Sequence, residues 1–271
     1  MGKVLVVTSG KGGVGKTTST AALGAALAQT GESVVVVDFD VGLRNLDLVM
    51  GSERRVVFDL INVVQGVAKL PQALIRDKRL ENLWLLPASQ TRDKDALTEN
   101  GVRQIIAELR QKFSWVICDS PAGIERGAIL AMKYADAAVI VSNPEVSSVR
   151  DSDRIIGMLD SKTQKAERGE RIDKHLLITR YDSARASRGE MLSVDDVLEI
   201  LSIPLLGIIP ESEDVLRASN VGCPVTLNNK MSAPARAYLE AARRLNGEDI
   251  TMTIPQQRTG LFGKLFGRRA A

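Results

Sequence analysis

The sequence predicts an α/β fold: a doubly wound, mostly parallel sheet with helices on both faces, followed by a C-terminal amphipathic tail helix. Three observations carry that expectation. Short, continuous apolar runs alternate with helix-like stretches through most of the 271 residues. A glycine-rich segment, Gly10 to Thr17, joins the first run to the first helical stretch. The chain closes on paired large apolar residues flanked by basic ones.

The strands come first. Val4–Thr8, Val34–Asp38, Leu83–Pro87, Trp115–Asp119, Ala137–Ser142, Leu176–Thr179 and Leu205–Ile209 are mostly unbroken apolar runs. Unbroken runs fit strands buried on both faces, as in a parallel sheet covered by helices. Between them, Lys16–Gln29, Val102–Lys112, Glu125–Tyr134, Val149–Leu159, Val194–Leu201 and Ala233–Leu245 read as helices. Strands alternating with helices imply βαβ units. Ser161–Lys174 is polar and charged and reads as an exposed loop. Asp249–Gly260 carries Pro, Gln, Thr and Gly with little apolar periodicity and reads as a linker. The expected organisation is one α/β domain over residues 1–247, a linker over 248–259 and a tail over 260–271.

Composition agrees with a globular body. The chain is 44% hydrophobic and 25% charged, which is ordinary for a soluble protein. Aromatics are only 4%, so the core must be aliphatic. The net charge of +3 matters less than its distribution: no acidic residue follows Asp249, whereas Arg258, Lys264, Arg268 and Arg269 do. A basic end on a near-neutral body points to a nucleic-acid or membrane partner. Cys118 and Cys223 form no CxxC and no metal-like spacing, so a disulfide framework is not expected and a reducing compartment is. His175, the single histidine, is read as structural. The N-terminus lacks a signal-peptide layout and no run approaches the roughly 20 apolar residues of a spanning helix. The expected place is the cytoplasm.

The glycine-rich segment carries the chemistry. Gly10-Lys11-Gly12-Gly13-Val14-Gly15-Lys16-Thr17 fits GxxxxGK[ST] between a strand and a helix, the context that a phosphate-binding P-loop requires. Glycines let backbone N–H groups approach phosphate oxygens, and the helix start adds partial positive charge. Lys16 is expected to hold the β and γ phosphates, and the Thr17 hydroxyl to bind Mg²⁺. Lys11 is a second lysine that the basic motif does not require. Asp38 and Asp40 follow one apolar run and Asp119 another. Ligands of doubly wound sheets sit beyond the carboxyl ends of the strands, so all three acids are candidates for the phosphate site. Asp119 is the natural Walker-B acid for Mg²⁺. Asp119-Ser120-Pro121-Ala122-Gly123 reads as a switch loop, in which Gly123 can swing its N–H toward a γ-phosphate.

KGGVGKTT, with Lys11 and Thr18, resembles the deviant Walker-A P-loop ATPases, the ParA/MinD family. DFDVGLRNLDLVMG (38–51), ERRV (53–56), LPASQTRDKDAL (86–97), CDSPAGIE (118–125), NPEVSSVRDSDRI (143–155), LLITRYD (176–182) and VLRASN (215–220) are similar to its septum-site-determining members over nearly the whole chain. The resemblance implies ATP and Mg²⁺ as ligands and a homodimer formed with ATP. It implies that Lys11 reaches a second copy's phosphates, charge-neutralising work like that of an arginine finger. It further implies that Asp40 positions the attacking water, that Asp38 and Asp119 serve the Mg²⁺ and switch region, and that Arg180, Pro210 and Glu211 line a base pocket.

Leu261, Phe262, Leu265 and Phe266 would form one face of a helix, with Lys264 and Arg268 beside it, the layout of an interfacial membrane helix. A helix docked on its own domain is the plainer alternative; the resemblance favours a membrane-targeting tail on the inner membrane's cytoplasmic face. Burying four such side chains yields at most roughly 6–12 kcal/mol, and each basic residue near an anionic surface adds about 1 kcal/mol. Ordering opposes this by about 1–2 kcal/mol per residue, so one tail is expected to bind weakly and two linked tails with avidity of order 10²–10⁴.

Val146–Ile155 reads as a loop entering a helix, with Ser147 or Ser148 as its cap and Asp151 and Asp153 near its start. Residue chemistry alone allows a plain solvated helix. The resemblance implies instead a partner surface, taken here as Ser148, Arg150, Asp151 and Asp153, for a MinC-like division inhibitor and a MinE-like activator. No specific nucleic acid is expected. Two alternatives stand beside this reading: a ParA-like ATPase on non-specific DNA, whose binding would fall steeply with salt, and a nucleotide-gated scaffold with little turnover.

Overall fold

A computed structural model describes residues 1–90 and 96–255. The strands are β1 Lys3–Thr8, β2 Val34–Asp38, β3 Ile75–Arg76, β4 Leu83–Leu86, β5 Trp115–Asp119, β6 Ala137–Ser142, β7 Asp173–Tyr181 and β8 Leu205–Pro210. They form one sheet in the order β3-β4-β2-β5-β1-β6-β7-β8. Every pairing is parallel except β3 with β4, at one edge. Parallel strands bring their carboxyl ends to one rim, and ligands of such sheets collect there.

Alternate residues of each strand feed two cores, as a period of two demands. Leu5, Val7, Val34, Val36, Ile117 and Val139 meet the helices Lys16–Gln29 and Ala233–Leu245 on one face. Val4, Val6, Val35, Val37, Val116 and Ala138 meet Glu99–Lys112, Arg126–Met132 and Val146–Lys162 on the other. The doubly wound expectation holds, with an aliphatic interior. Cys118 is fully buried among these residues, as a small hydrophobe.

Four differences from the sequence reading have local causes. Ser161–Lys174 is not simply an exposed loop: its first residues finish one helix, Gln164–Glu167 forms a short helix capped by Thr163, and β7 already begins at Asp173. Buried Thr163 and Ile172 fasten that segment to the body. The edge strand β3 spans only two residues, too short for any periodicity. The helix Glu213–Asn220 was missed because its apolar residues are few, although Ser212 caps it and Glu213 and Asp214 fill its first turn, an available start signal. Finally, the stretch after residue 248 does not begin free. Residues 248–255 have no regular structure, but the Arg244 guanidinium donates to the carbonyls of Leu206, Ile250 and Thr251, each at 2.9 Å.

Among the described residues no helix is long and apolar enough to cross a membrane. Leu261, Phe262, Lys264, Leu265, Phe266 and Arg268 lie outside the described residues.

Candidate functional site

β1 ends at Thr8 and the next helix begins at Lys16, so Ser9–Gly15 must turn the chain at the rim. Gly13 (φ 76°) and Gly15 (φ 99°) take left-handed conformations, which cost other residues energy and glycine little. Gly10 is needed for a different reason: a Cβ there would lie 2.3 Å from the carbonyl oxygen of Asp151. Gly12 and Gly13 are exposed at the loop's crown, while Val14 and Lys16 are buried. Lys16 Nζ donates to Ser9 Oγ (3.0 Å) and to the Lys11 carbonyl (3.4 Å). Burial lowers its pKa, and the charges of Asp119 and Asp40 partly restore it.

The expected acids are neighbours. Asp38 and Asp119 end adjacent strands and stand opposite each other in the β2–β5 register. Asp38 accepts from the backbone N–H groups of Asp40 (2.8 Å) and Leu46 (3.2 Å). Asp119 accepts from Thr20 Oγ1 at 3.0 Å, and the nearby Thr17 hydroxyl helps to lower its pKa. Desolvation pushes Asp119 up to about 8, helped by the nearby Asp38 charge. It pushes Asp38 up to about 6. Two buried acids that resist ionisation, beside a threonine hydroxyl, form a set of oxygen donors. That chemistry fits Mg²⁺, which binds through one or two carboxylates or hydroxyls together with phosphate oxygens. Asp40 is half-buried just past β2. Gly123 sits at φ 87° and its N–H donates to the Ser9 carbonyl at 3.2 Å, so the Asp119–Gly123 loop already touches the phosphate loop.

A cavity of about 360 Å³ continues from this rim. Arg180, Pro210 and Glu211 line it, as expected, and so do Val14, Gly15 and Thr18 of the phosphate loop. One cavity therefore joins part of the phosphate loop to the expected base-pocket residues. Arg180 has φ 54° where the β7–β8 register slips, a bulge of the kind that re-aims side chains beside functional sites. Thr179, Tyr238 and residues of the Glu213–Asn220 helix also line the cavity and were not foreseen. Tyr238, fully buried, shares a 2.9 Å hydrogen bond with Ser19 of the phosphate-loop helix. For Thr179 a signal existed: it precedes Arg180 at the carboxyl end of a strand.

Lys11 is not extended into solvent. Its Nζ lies 2.8 Å from Glu145 and 3.1 Å from Ser147 Oγ, both at the start of the Val146–Lys162 helix. That helix corrects the cap assignment: its N-cap is Glu145, without a side-chain cap hydrogen bond. Ser148 is also corrected as a surface residue. It is 1% exposed, and its Oγ meets Ser142 Oγ (3.1 Å) and accepts from the Asn143 N–H (3.2 Å). Arg150 and Asp153 are exposed, and Asp151 is half-buried with its backbone against Gly10.

Comparison with known proteins agrees with this geometry. The pattern of the CobQ/CobB/MinD/ParA nucleotide binding domain matches residues 5–225. The chain is 58% identical to the septum site-determining protein MinD of Escherichia coli (strain K12) over 270 residues, 98% of this chain and 100% of that one. The MinC:MinD cell division protein complex of Aquifex aeolicus matches with 42% identity and a TM-score of 0.82, covering 94% of this chain and 98% of that one. MinD of Pyrococcus horikoshii OT3, complexed with Mg-ADP, matches with 30% identity and a TM-score of 0.80, covering 91% and 96%.

Proposed function

From the premise that this chain belongs to the CobQ/CobB/MinD/ParA nucleotide-binding family, we propose that it is an ATP-hydrolysing switch that pairs with a second copy, holds a membrane in its ATP form and helps place the division site. The observation that carries the reading is the convergence of Lys16, Asp38, Asp40 and Asp119 on one rim, continuous with a cavity sized for a nucleoside.

In this reading the backbone of Gly10–Gly15 cradles the phosphates, Lys16 holds their β and γ oxygens, and Arg180, Pro210 and Glu211 border the base. Mg²⁺, when bound, would neutralise phosphate charge; Thr17, Asp38 and Asp119 are the residues to hold it, the acids directly or through water. Asp40 orients a water for attack on the γ-phosphate. Lys11 of one copy answers the developing charge on the other's nucleotide. Gly123 senses the γ-phosphate by exchanging its bond to Ser9 for one to the ligand. The exposed Arg150 and Asp153 belong to the face on which a MinC-like inhibitor and a MinE-like activator dock. The apolar tail residues bind an anionic inner-membrane surface, weakly alone and firmly in pairs.

Co-sedimentation with anionic liposomes tests this, using the full chain and a truncation after Gly260, each with ATP or ADP. Pelleting that needs both ATP and the tail is expected. Equal pelleting with ADP, or pelleting without the tail, would overturn the membrane switch.

A further inference from the structure

We propose that Thr179 is a positioning residue for the phosphate loop: its hydroxyl holds the peptide between Val14 and Gly15 so that the Gly15 N–H faces the phosphates. The proposal rests on the nucleotide-switch reading and adds to it a residue that neither the motif nor the acids disclose.

Thr179 Oγ1 lies 2.7 Å from the Val14 carbonyl oxygen and 2.8 Å from the carboxamide oxygen Oδ1 of Asn143. All three residues are buried: Val14 is 1% exposed, Thr179 4% and Asn143 6%. A hydroxyl carries one proton and a carbonyl only accepts. The one proton cannot serve both oxygens; with the proton on the Val14 bond, flipping the Asn143 carboxamide turns its amide nitrogen to the hydroxyl oxygen and satisfies all three groups. The Asn143 backbone is fixed in turn, since its N–H donates to Ser148 Oγ. The anchor is thus a buried polar chain from the start of the Val146–Lys162 helix, across β6 and β7, to the phosphate loop.

The geometry of the peptide does the rest. In a trans peptide the C=O and the following N–H point in opposite directions. With the Val14 carbonyl drawn toward β7, the Gly15 N–H is turned the other way, into the cradle. The helix cannot impose this orientation. Gly15 is its N-cap, and the first helical bond runs from the Ser19 N–H to the Gly15 carbonyl at 2.8 Å. The Val14 carbonyl lies one residue outside that ladder. Gly15 itself, at φ 99°, is the residue type freest to rotate. An external anchor is what keeps one N–H aimed before the nucleotide arrives, and Thr179 supplies it.

The test uses the full-length chain and isothermal titration of ATP, ADP and adenosine with excess Mg²⁺. Thr179→Val keeps the shape and removes the hydroxyl; Thr179→Ala removes it and leaves space; Thr179→Ser retains it. Val and Ala should weaken ATP and ADP by about threefold to tenfold, the range of one hydrogen bond, with adenosine unchanged and Ser like the wild type. Nucleotide-free melting curves identify any variant that does not fold, and the two hydroxyl-free variants are read independently. Unchanged ATP affinity in a folded hydroxyl-free variant would overturn the proposal. So would a matching loss for adenosine, which assigns Thr179 to the base pocket, or a Ser variant as weak as Val. A wild type that binds neither ATP nor ADP would instead overturn the switch reading itself.

Discussion

Lys11 rests on Glu145 of its own chain, yet the proposed dimer needs it on the other copy's phosphates. Glu145→Gln removes the charge that retains it and leaves the shape of the side chain. The two side chains are 38% and 53% exposed, and ion pairs this open contribute about 0.2–1 kcal/mol. A dimer must break two such contacts, so the variant should favour pairing by about 0.4–2 kcal/mol, or about twofold to thirtyfold in dissociation constant. Sedimentation velocity with ATP, in an Asp40→Ala background to slow turnover, measures this directly. The gain should shrink as salt rises, because screening already weakens the pair in the parent. Lys11→Ala should prevent pairing altogether. A Glu145→Gln dimer that is weaker than the parent at low salt would refute the argument, since Glu145 would then be serving the dimer rather than restraining the lysine.

Two further outcomes follow from buried charge. Asp38 and Asp119 hold protons more tightly when folded than when unfolded, so the stability they contribute is full below about pH 4 and is lost as pH rises through about 6 and about 8. The melting temperature of the nucleotide-free chain should fall from pH 5 to pH 8, and Mg²⁺ with ATP should flatten that fall; a rise through the same window would contradict the assignment. Arg79 reaches Asp77 (2.7 Å) and the carbonyls of Met50 (2.7 Å) and Gly222 (3.0 Å). Arg79→Met should cost about 3–5 kcal/mol by urea denaturation, because it strands a nearly buried carboxylate, and Asp77→Asn in the same chain should recover part of it.

What could be read beforehand was local in the chain. The phosphate loop is one continuous segment, and Asp38 and Asp119 announce themselves by ending apolar runs. The unforeseen contacts join distant positions: Lys11 and Glu145 are 134 residues apart, Val14 and Thr179 165, Ser19 and Tyr238 219. No periodicity links such pairs; only the strand order does. Ser148 was misjudged for another reason. With Ser152, Ile155 and Leu159 it forms the buried stripe of its helix, and small hydroxyls in that stripe imitate a solvent face. The expected boundary after residue 247 overlooked Arg244, because an arginine that gathers carbonyls has the same letter as one in solvent.

That arginine also sets a leash. Leu261, the first large apolar residue of the tail, follows Thr251 by ten residues and Leu245 by sixteen. Whatever their conformation, ten residues span at most about 33–36 Å and sixteen about 53–58 Å. Fastening the chain at Thr251, beside the amino end of β8, therefore shortens the reach by more than a third and keeps its origin at the rim opposite the nucleotide. A single guanidinium far from the phosphates thus sets how far from the body Leu261 can stand.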